Sequence, residues 1–307
     1  MRYFISLVLL FVLSAQTHAQ QGKLYLNKIF EETARKKNIS YSDDPVKTSK
    51  SQLLDVYLPL KDTNTLRPLI ILMHGGGFRF GSKNISRMKI WGKFFAERGY
   101  VVAAINYRKS KKHPLNNFED LAEACADAME DASMALKYLR QNYKDFGIDT
   151  GKVIMGGHSA GGMIALQSAY STREEIMRMI RRESASQKPA VSHNSNRLLA
   201  VINYWGAIYD TAWLKNARVP IVSAHGSKDR VVPYNFKEAP IYGSGAIHRV
   251  ADRIGIINDL KTFDGKGHEL QAHFNPVYAG PIARKRWRQA ADFTVEFLYS
   301  KVLALNQ

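Results

Sequence analysis

Short apolar runs recur along the chain, with segments of helical spacing between them. Pro68–Met73, Tyr100–Ile105, Val153–Met155, Leu198–Tyr204 and Val219–Ala224 read as strands buried on both faces, and Leu260–Phe263 as a shorter strand after them. Leu53–Leu58 alternates apolar with polar residues and stops at Pro59, which suits an early edge strand. Helical spacing runs from Met88 to Glu97, from Phe118 to Tyr143, onward from Met163, and from about Pro281 past Leu298. Gln20–Asp44 is polar with only a weak helical pattern. Strands alternating with helices predict an α/β fold with a mostly parallel sheet, and no internal repeat or second composition regime divides it.

One junction in this pattern is unusually tight. Val153-Ile154-Met155 runs into Gly156-Gly157-His158-Ser159-Ala160-Gly161-Gly162, and a helical segment follows at once. Gly157-x-Ser159-x-Gly161 between a strand and a helix is a nucleophile-elbow pattern, since side chains flanking so sharp a turn would strike the neighbouring strand and helix. The turn lifts the Ser159 hydroxyl above the sheet edge and aims the first amides of the helix at developing negative charge. An ordinary glycine-rich strand–helix turn has the same composition, so the other loops must decide.

In a parallel sheet, function gathers at the carboxyl ends of the strands. Three further loops there carry unusual residues. His74-Gly75-Gly76-Gly77-Phe78 follows Met73, His225-Gly226-Ser227-Lys228-Asp229 follows Ala224, and Asp264-Gly265-Lys266-Gly267-His268-Glu269 follows Phe263. Acyl transfer needs a nucleophile, a base, an acid to orient the base, and donors for an oxyanion. Ser159, His268 and Asp229 supply the first three, in the chain order serine, acid, histidine expected of an α/β-hydrolase. The amides of Gly76, Gly77 and Ala160 supply the donors, and removing one such donor typically costs about 3 kcal/mol of transition-state stabilisation. His74 reads as a brace for its loop. His273 is the competing histidine, and Asp264, close in sequence to His268, the reserve acid. Phe78, Trp205 and Trp213, together with Tyr209, are candidate pocket walls, with plain core packing as an equal alternative.

These motifs, together with Asn106-Tyr107-Arg108 and Val232-Pro233, resemble an α/β-hydrolase-fold carboxylesterase close to the hormone-sensitive-lipase-like esterases. The resemblance covers roughly Leu53 to the C-terminus. It implies hydrolysis of carboxylic esters through an acyl-Ser159 intermediate, without metal or cofactor, on a short-acyl, acetyl or feruloyl ester that is a small molecule or linked to a polysaccharide. Two departures bear on the substrate pocket. Lys109-Ser110-Lys111-Lys112-His113-Pro114 replaces the Leu-Ala-Pro-Glu that many members carry, and in place of an N-terminal cap there is only an insertion over 172–196, a lid or a solvated loop.

Composition changes this picture at the margins. Arg2, the apolar stretch Phe4–Leu13 and Thr17-His18-Ala19 form a signal-peptide pattern over residues 1–19, too short for a permanent membrane span, which leaves 20–307 as one hydrolase domain, secreted or periplasmic. Cys125 is the only cysteine, so no intrachain disulfide forms, and it sits among alanines as a buried small residue. The formal charge is +17, but the basic residues are scattered and no nucleic-acid-binding motif accompanies them, which reads as a basic solvated surface. A serine peptidase of the same fold, or a non-catalytic binding protein on that fold, are the alternatives to an esterase. Oligomeric state is not legible.

Overall fold

The computed structural model describes residues 23–42, 50–62, 66–181, 197–238, 240–275 and 279–304. The expected signal peptide and most of the expected insertion, residues 182–196, lie outside the described residues.

Eight strands form the central sheet: β1 (Thr33–Ser40), β2 (Leu53–Pro59), β3 (Arg67–Met73), β4 (Val101–Ile105), β5 (Ile148–His158), β6 (Leu198–Tyr204), β8 (Ile221–Gly226) and β11 (Asn258–Phe263). They lie in the order β1-β2-β4-β3-β5-β6-β8-β11. The first two pair antiparallel, and all pairs from β4 onward are parallel. Every residue of β3 and β4 is buried, as the apolar runs Pro68–Met73 and Val101–Ile105 require, and Arg67 at the start of β3 is buried with them. The expected α/β-hydrolase architecture is therefore present.

The first strand corrects the reading of the N-terminal segment as weakly helical and of Leu53–Pro59 as the sheet edge. Thr33–Ser40 pairs along β2 and is itself the edge. Its sequence, TARKKNIS, carries no apolar alternation because no residue in it is fully buried; the backbone ladder to β2 holds it instead.

Helices cover both faces. On one side α1 (Ser86–Ala96) and α7 (Pro281–Phe297) bury Met88, Trp91, Phe95, Trp287 and Ala291. On the other, α2 (Phe118–Gln141), α4 (Ala160–Tyr170) and α5 (Arg173–Arg181) bury an alanine-rich layer with Cys125 in it. Between α2 and β5 lies the single turn α3 (Tyr143–Phe146). The side chain of Asn117 caps α2 by accepting the Asp120 amide at 2.7 Å. A small antiparallel sheet of β7 (Ala207–Ile208), β10 (Ile241–Gly243) and β9 (Phe236–Lys237) stands beside the main one, and α6 (Ser244–Ile254) follows it directly. Neither the small sheet nor α6 was expected. The strands of the small sheet are two or three residues long, too short for periodicity to register, whereas α6 does carry helical spacing in Ile247, Val250, Ala251 and Ile254.

The register brings the four candidate loops to one edge. Met73 is level with Gly157, and Gly226 with Phe263. The loops after β3, β5, β8 and β11 thus open from the carboxyl side of one continuous surface.

Candidate active site

Ser159 sits at the turn between β5 and α4 with φ 53° and ψ −120°, a conformation an L-residue adopts only under constraint. The constraint is visible at Gly157 and Gly161, where an added Cβ would be driven into the Met73 carbonyl. The Ser159 amide donates to Tyr204 O at 2.9 Å, which ties the elbow to the end of β6.

Ser159 Oγ lies 3.0 Å from Nε2 of His268. On the other side of the ring, His268 Nδ1 lies 2.7 Å from Asp229 Oδ2. The second carboxylate oxygen, Oδ1, accepts the amides of Val231 at 2.9 Å and Val232 at 3.0 Å. All three residues are buried. Burial alone would push the Asp229 carboxyl up, but hydrogen bonds from His225 and His268 outweigh it and hold the group well below the ordinary carboxylate range. An ionised Asp229 fixes the proton on His268 Nδ1 and leaves Nε2 free to accept from the serine. His273 and Asp264, the reserve candidates, lie elsewhere. Both are exposed, and Asp264 accepts from Ser227 Oγ at 2.8 Å.

The glycine loop after β3 turns with φ 115° at Gly76 and 56° at Gly77. The Gly75 amide donates to His158 Nε2 at 3.0 Å and so is occupied. Those of Gly76, Gly77 and Ala160 make no hydrogen bond to the described residues. Tyr107 stacks on His74 at 4.2 Å between ring centroids and donates its hydroxyl to His74 O at 2.7 Å. His74 is a buried brace, with Nδ1 2.8 Å from Gly75 O, and burial lowers its pKa to about 4. Farther along the loop, buried Lys83 anchors the chain through Asp55 at 2.7 Å and Asn38 at 2.7 Å.

Two of the expected pocket walls are core residues. Phe78 and Trp205 are fully buried. Trp205 turns under the elbow with φ 42° and packs against Trp91, His158 and Tyr204. Strand-end aromatics face either the core or the mouth, and sequence carries no sign of which. Trp213 is half-buried at the edge of the opposite core, and Tyr209 is buried there. Exposed apolar side chains are instead carried by Phe80 on the glycine loop, Val231 two residues past Asp229, Phe274 six past His268, and Leu115. Leu115 covers Gly77 so closely that a Cβ there would strike it, and Phe274 meets the His268 ring edge-on at 5.1 Å.

The matched motifs and this geometry agree with a comparison to known families, in which the BD-FAE family covers residues 54–216. The chain belongs to the BD-FAE family. Among characterised relatives, bovine arylacetamide deacetylase is 25% identical over 236 residues, covering 67% of this chain and 54% of the relative. An isoprenylcysteine alpha-carbonyl methylesterase from Arabidopsis thaliana is 28% identical over 155 residues, 49% of this chain and 30% of the relative. The chain thus spans about half or less of these relatives' length. Among solved structures, esterase 2 of Thermogutta terrifontis superposes with a TM-score of 0.58 at 21% identity, covering 88% of this chain and 94% of that one. A truncated carbohydrate esterase from gut microbiota gives 0.57 at 17% identity, over 89% and 99%. At those identities the structures speak for the α/β-hydrolase fold alone.

Sequence reasoning missed three supports that this BD-FAE chain places around the site: His158 under Gly75, His225 behind Asp229, and Arg87 paired with Glu269 beside His268. For the first two the signal available was the histidine within each motif; Arg87 lies in no motif and carried none. Among the described residues, no three His, Cys, Asp or Glu side chains group so as to hold a metal ion, and no helix is long and apolar enough to cross a membrane.

Proposed function

We propose that this protein hydrolyses carboxylic esters of short acyl chain through an acyl-Ser159 intermediate. The observation that carries the reading is the continuous contact from Ser159 Oγ to His268 Nε2 and from His268 Nδ1 to Asp229. The names of the relatives, a deacetylase and methylesterases, support the same chemistry.

His268 Nε2 takes the Ser159 proton as Oγ attacks the ester carbonyl. The carbonyl oxygen becomes an oxyanion that receives N–H bonds from Ala160, Gly76 and Gly77. The tetrahedral intermediate expels the alcohol, which collects the proton from His268, and the acyl group stays on Oγ. Water then repeats the sequence, with His268 as its base, to release the acid and restore Ser159. Asp229 holds the imidazolium in place throughout. Leu115 over Gly77 narrows the space above the donors, which favours short acyl groups. The signal-peptide pattern supports action outside the cytoplasm, on a small or polysaccharide-linked ester.

The test is hydrolysis of p-nitrophenyl acetate, butyrate and octanoate by the wild type and by Ser159→Ala. Expected are turnover falling from acetate or butyrate to octanoate, and loss of at least about a thousand-fold in kcat in the variant. A folded wild type inactive on all three, or a variant that keeps its rate, overturns the reading.

A further inference from the structure

Asp229 is held from two sides by histidines, and only His268 has a part in the chemistry above. The second is His225, at the end of β8, fully buried. Its Nε2 lies 3.1 Å from Val232 O and 3.4 Å from Asp229 Oδ2, the same oxygen that meets His268. Both neighbours are acceptors only, so Nε2 must carry a proton, which points to Val232 O as the shorter contact and has Asp229 Oδ2 as the longer one. On the other side of the ring, Nδ1 is 2.8 Å from Ser244 Oγ. Ser244 in turn accepts from Asn203 Nδ2 at 3.1 Å, and Asn203 Oδ1 accepts the Gly206 amide at 3.0 Å. Buried polar side chains thus run without a break from β6, through the first residue of α6, to the carboxylate.

We infer that His225 is a positioning residue for the hydrolytic centre: its Nε2–H keeps Asp229 Oδ2 in line with His268, and Ser244, backed by Asn203, orients the ring. The inference rests on the reading of Ser159, His268 and Asp229 as the catalytic set. The backbone amides on Oδ1 fix one oxygen, and the carboxylate would still swing Oδ2 about that anchor. His225 removes the swing. Its hydrogen to Val232 O also closes the loop that presents Asp229, so one ring locks both the side chain and the backbone carrying it. The titratable groups facing the His225 ring are Asp229, His268, Tyr234 (edge-on at 5.7 Å) and His248 on α6. Of these, Asp229 is the one it touches.

The position distinguishes two substitutions of similar polarity. In His225→Gln the side-chain amide occupies the place of Nε2 and still donates to Asp229. In His225→Asn the amide falls near Nδ1 and reaches Ser244 but not Asp229. The Asn variant is expected to lose roughly ten-fold in kcat with KM nearly unchanged. The Gln variant, which keeps the donor facing Asp229, should regain most of the lost kcat, again with KM nearly unchanged. Equal kcat in the two variants, or a loss in the Asn variant that falls on KM instead of kcat, overturns the inference. If the variants do not fold, nitrogen-15 NMR of histidine-labelled wild type decides: a protonated His225 Nε2 supports the clamp and an unprotonated one refutes it. An inactive wild type would instead remove the catalytic reading on which the role depends, and the two failures are separate observations.

Discussion

The amide of Gly75 donates to His158 Nε2 at 3.0 Å, so the glycine loop after β3 hangs on the histidine that immediately precedes Ser159. The donor side of the site and the nucleophile side are joined by this bond as well as by the sheet. Because Nε2 is the acceptor, the neutral ring carries its proton on Nδ1, which is buried without a hydrogen-bond partner among the described residues. Removing the acceptor leaves the Gly75 amide unpaired in a dry setting, at a cost of about 1–3 kcal/mol.

His158→Phe should therefore lower unfolding free energy by about 2 kcal/mol and kcat by roughly ten-fold or more, as Gly76 and Gly77 lose their fixed position. Urea unfolding and steady-state kinetics on p-nitrophenyl acetate check both. Unchanged kcat would show that the loop keeps its shape without this bond.

The two buried histidines that brace the glycine loop, His74 within it and His158 beneath it, make stability depend on pH. Burial lowers His74 to about 4 and His158 well below the ordinary 6.5. Below pH ~6.5 the unfolded chain binds a proton at each while the folded chain does not, so stability drops as pH falls through that value. Each histidine contributes a slope of about 1.4 kcal/mol per pH unit, for His74 until its folded pKa is reached. Denaturant unfolding at pH 7.5, 6 and 5 should show the decline, and His158→Phe should remove about one proton from the slope. A flat profile between pH 7.5 and 5 would contradict this.

Arg87 and Glu269 form a buried ion pair one residue beyond His268, with Arg87 lying 4.8 Å over the Trp287 ring. Glu269 holds a left-handed conformation, φ 58°, and its carbonyl accepts from Trp287 Nε1 at 2.8 Å. Burial pushes its carboxyl up and Arg87 opposes that. Arg87→Met strands the carboxylate and should cost about 3 kcal/mol in urea unfolding, whereas Arg87→Met with Glu269→Gln should recover part of the loss. Equal loss in the single and double variants would mean that the arginine acts through packing on Trp287 alone.

Cys125 lies on the buried face of α2, and burial pushes its thiol up to about 12. The native protein should not react with a disulfide reagent such as DTNB over an hour at pH 8, and one thiol per chain should appear on adding guanidinium. Rapid labelling of the native protein would place that helix open to solvent.

What the sequence shows of this fold is what short-range pattern encodes. Buried parallel strands such as Pro68–Met73 are continuous apolar runs, and the turn at Ser159 demands glycines two residues to either side, so both are written locally. Thr33–Ser40 is not, since its pairing uses backbone groups that every residue carries. Trp205 is not either: its side chain goes to the core because the chain turns with φ 42° at that residue.

The candidate loops and their chemical types were determined by the sequence alone: a serine on a tight turn, a glycine run after one strand, an aspartate and a histidine after two others. Their meeting was decided by the tertiary structure. Ser159 and His268 are 109 residues apart, and only the strand order β5-β6-β8-β11, with register that levels the strand ends, brings Oγ within 3.0 Å of Nε2. The same holds for His158 under Gly75, 83 residues away, and for His225 behind Asp229, where the loop must fold back before residues four apart can share a carboxylate. Local sequence sets backbone conformation. Contacts between distant side chains are set by which elements pack side by side, and that follows from burying the whole apolar surface at once.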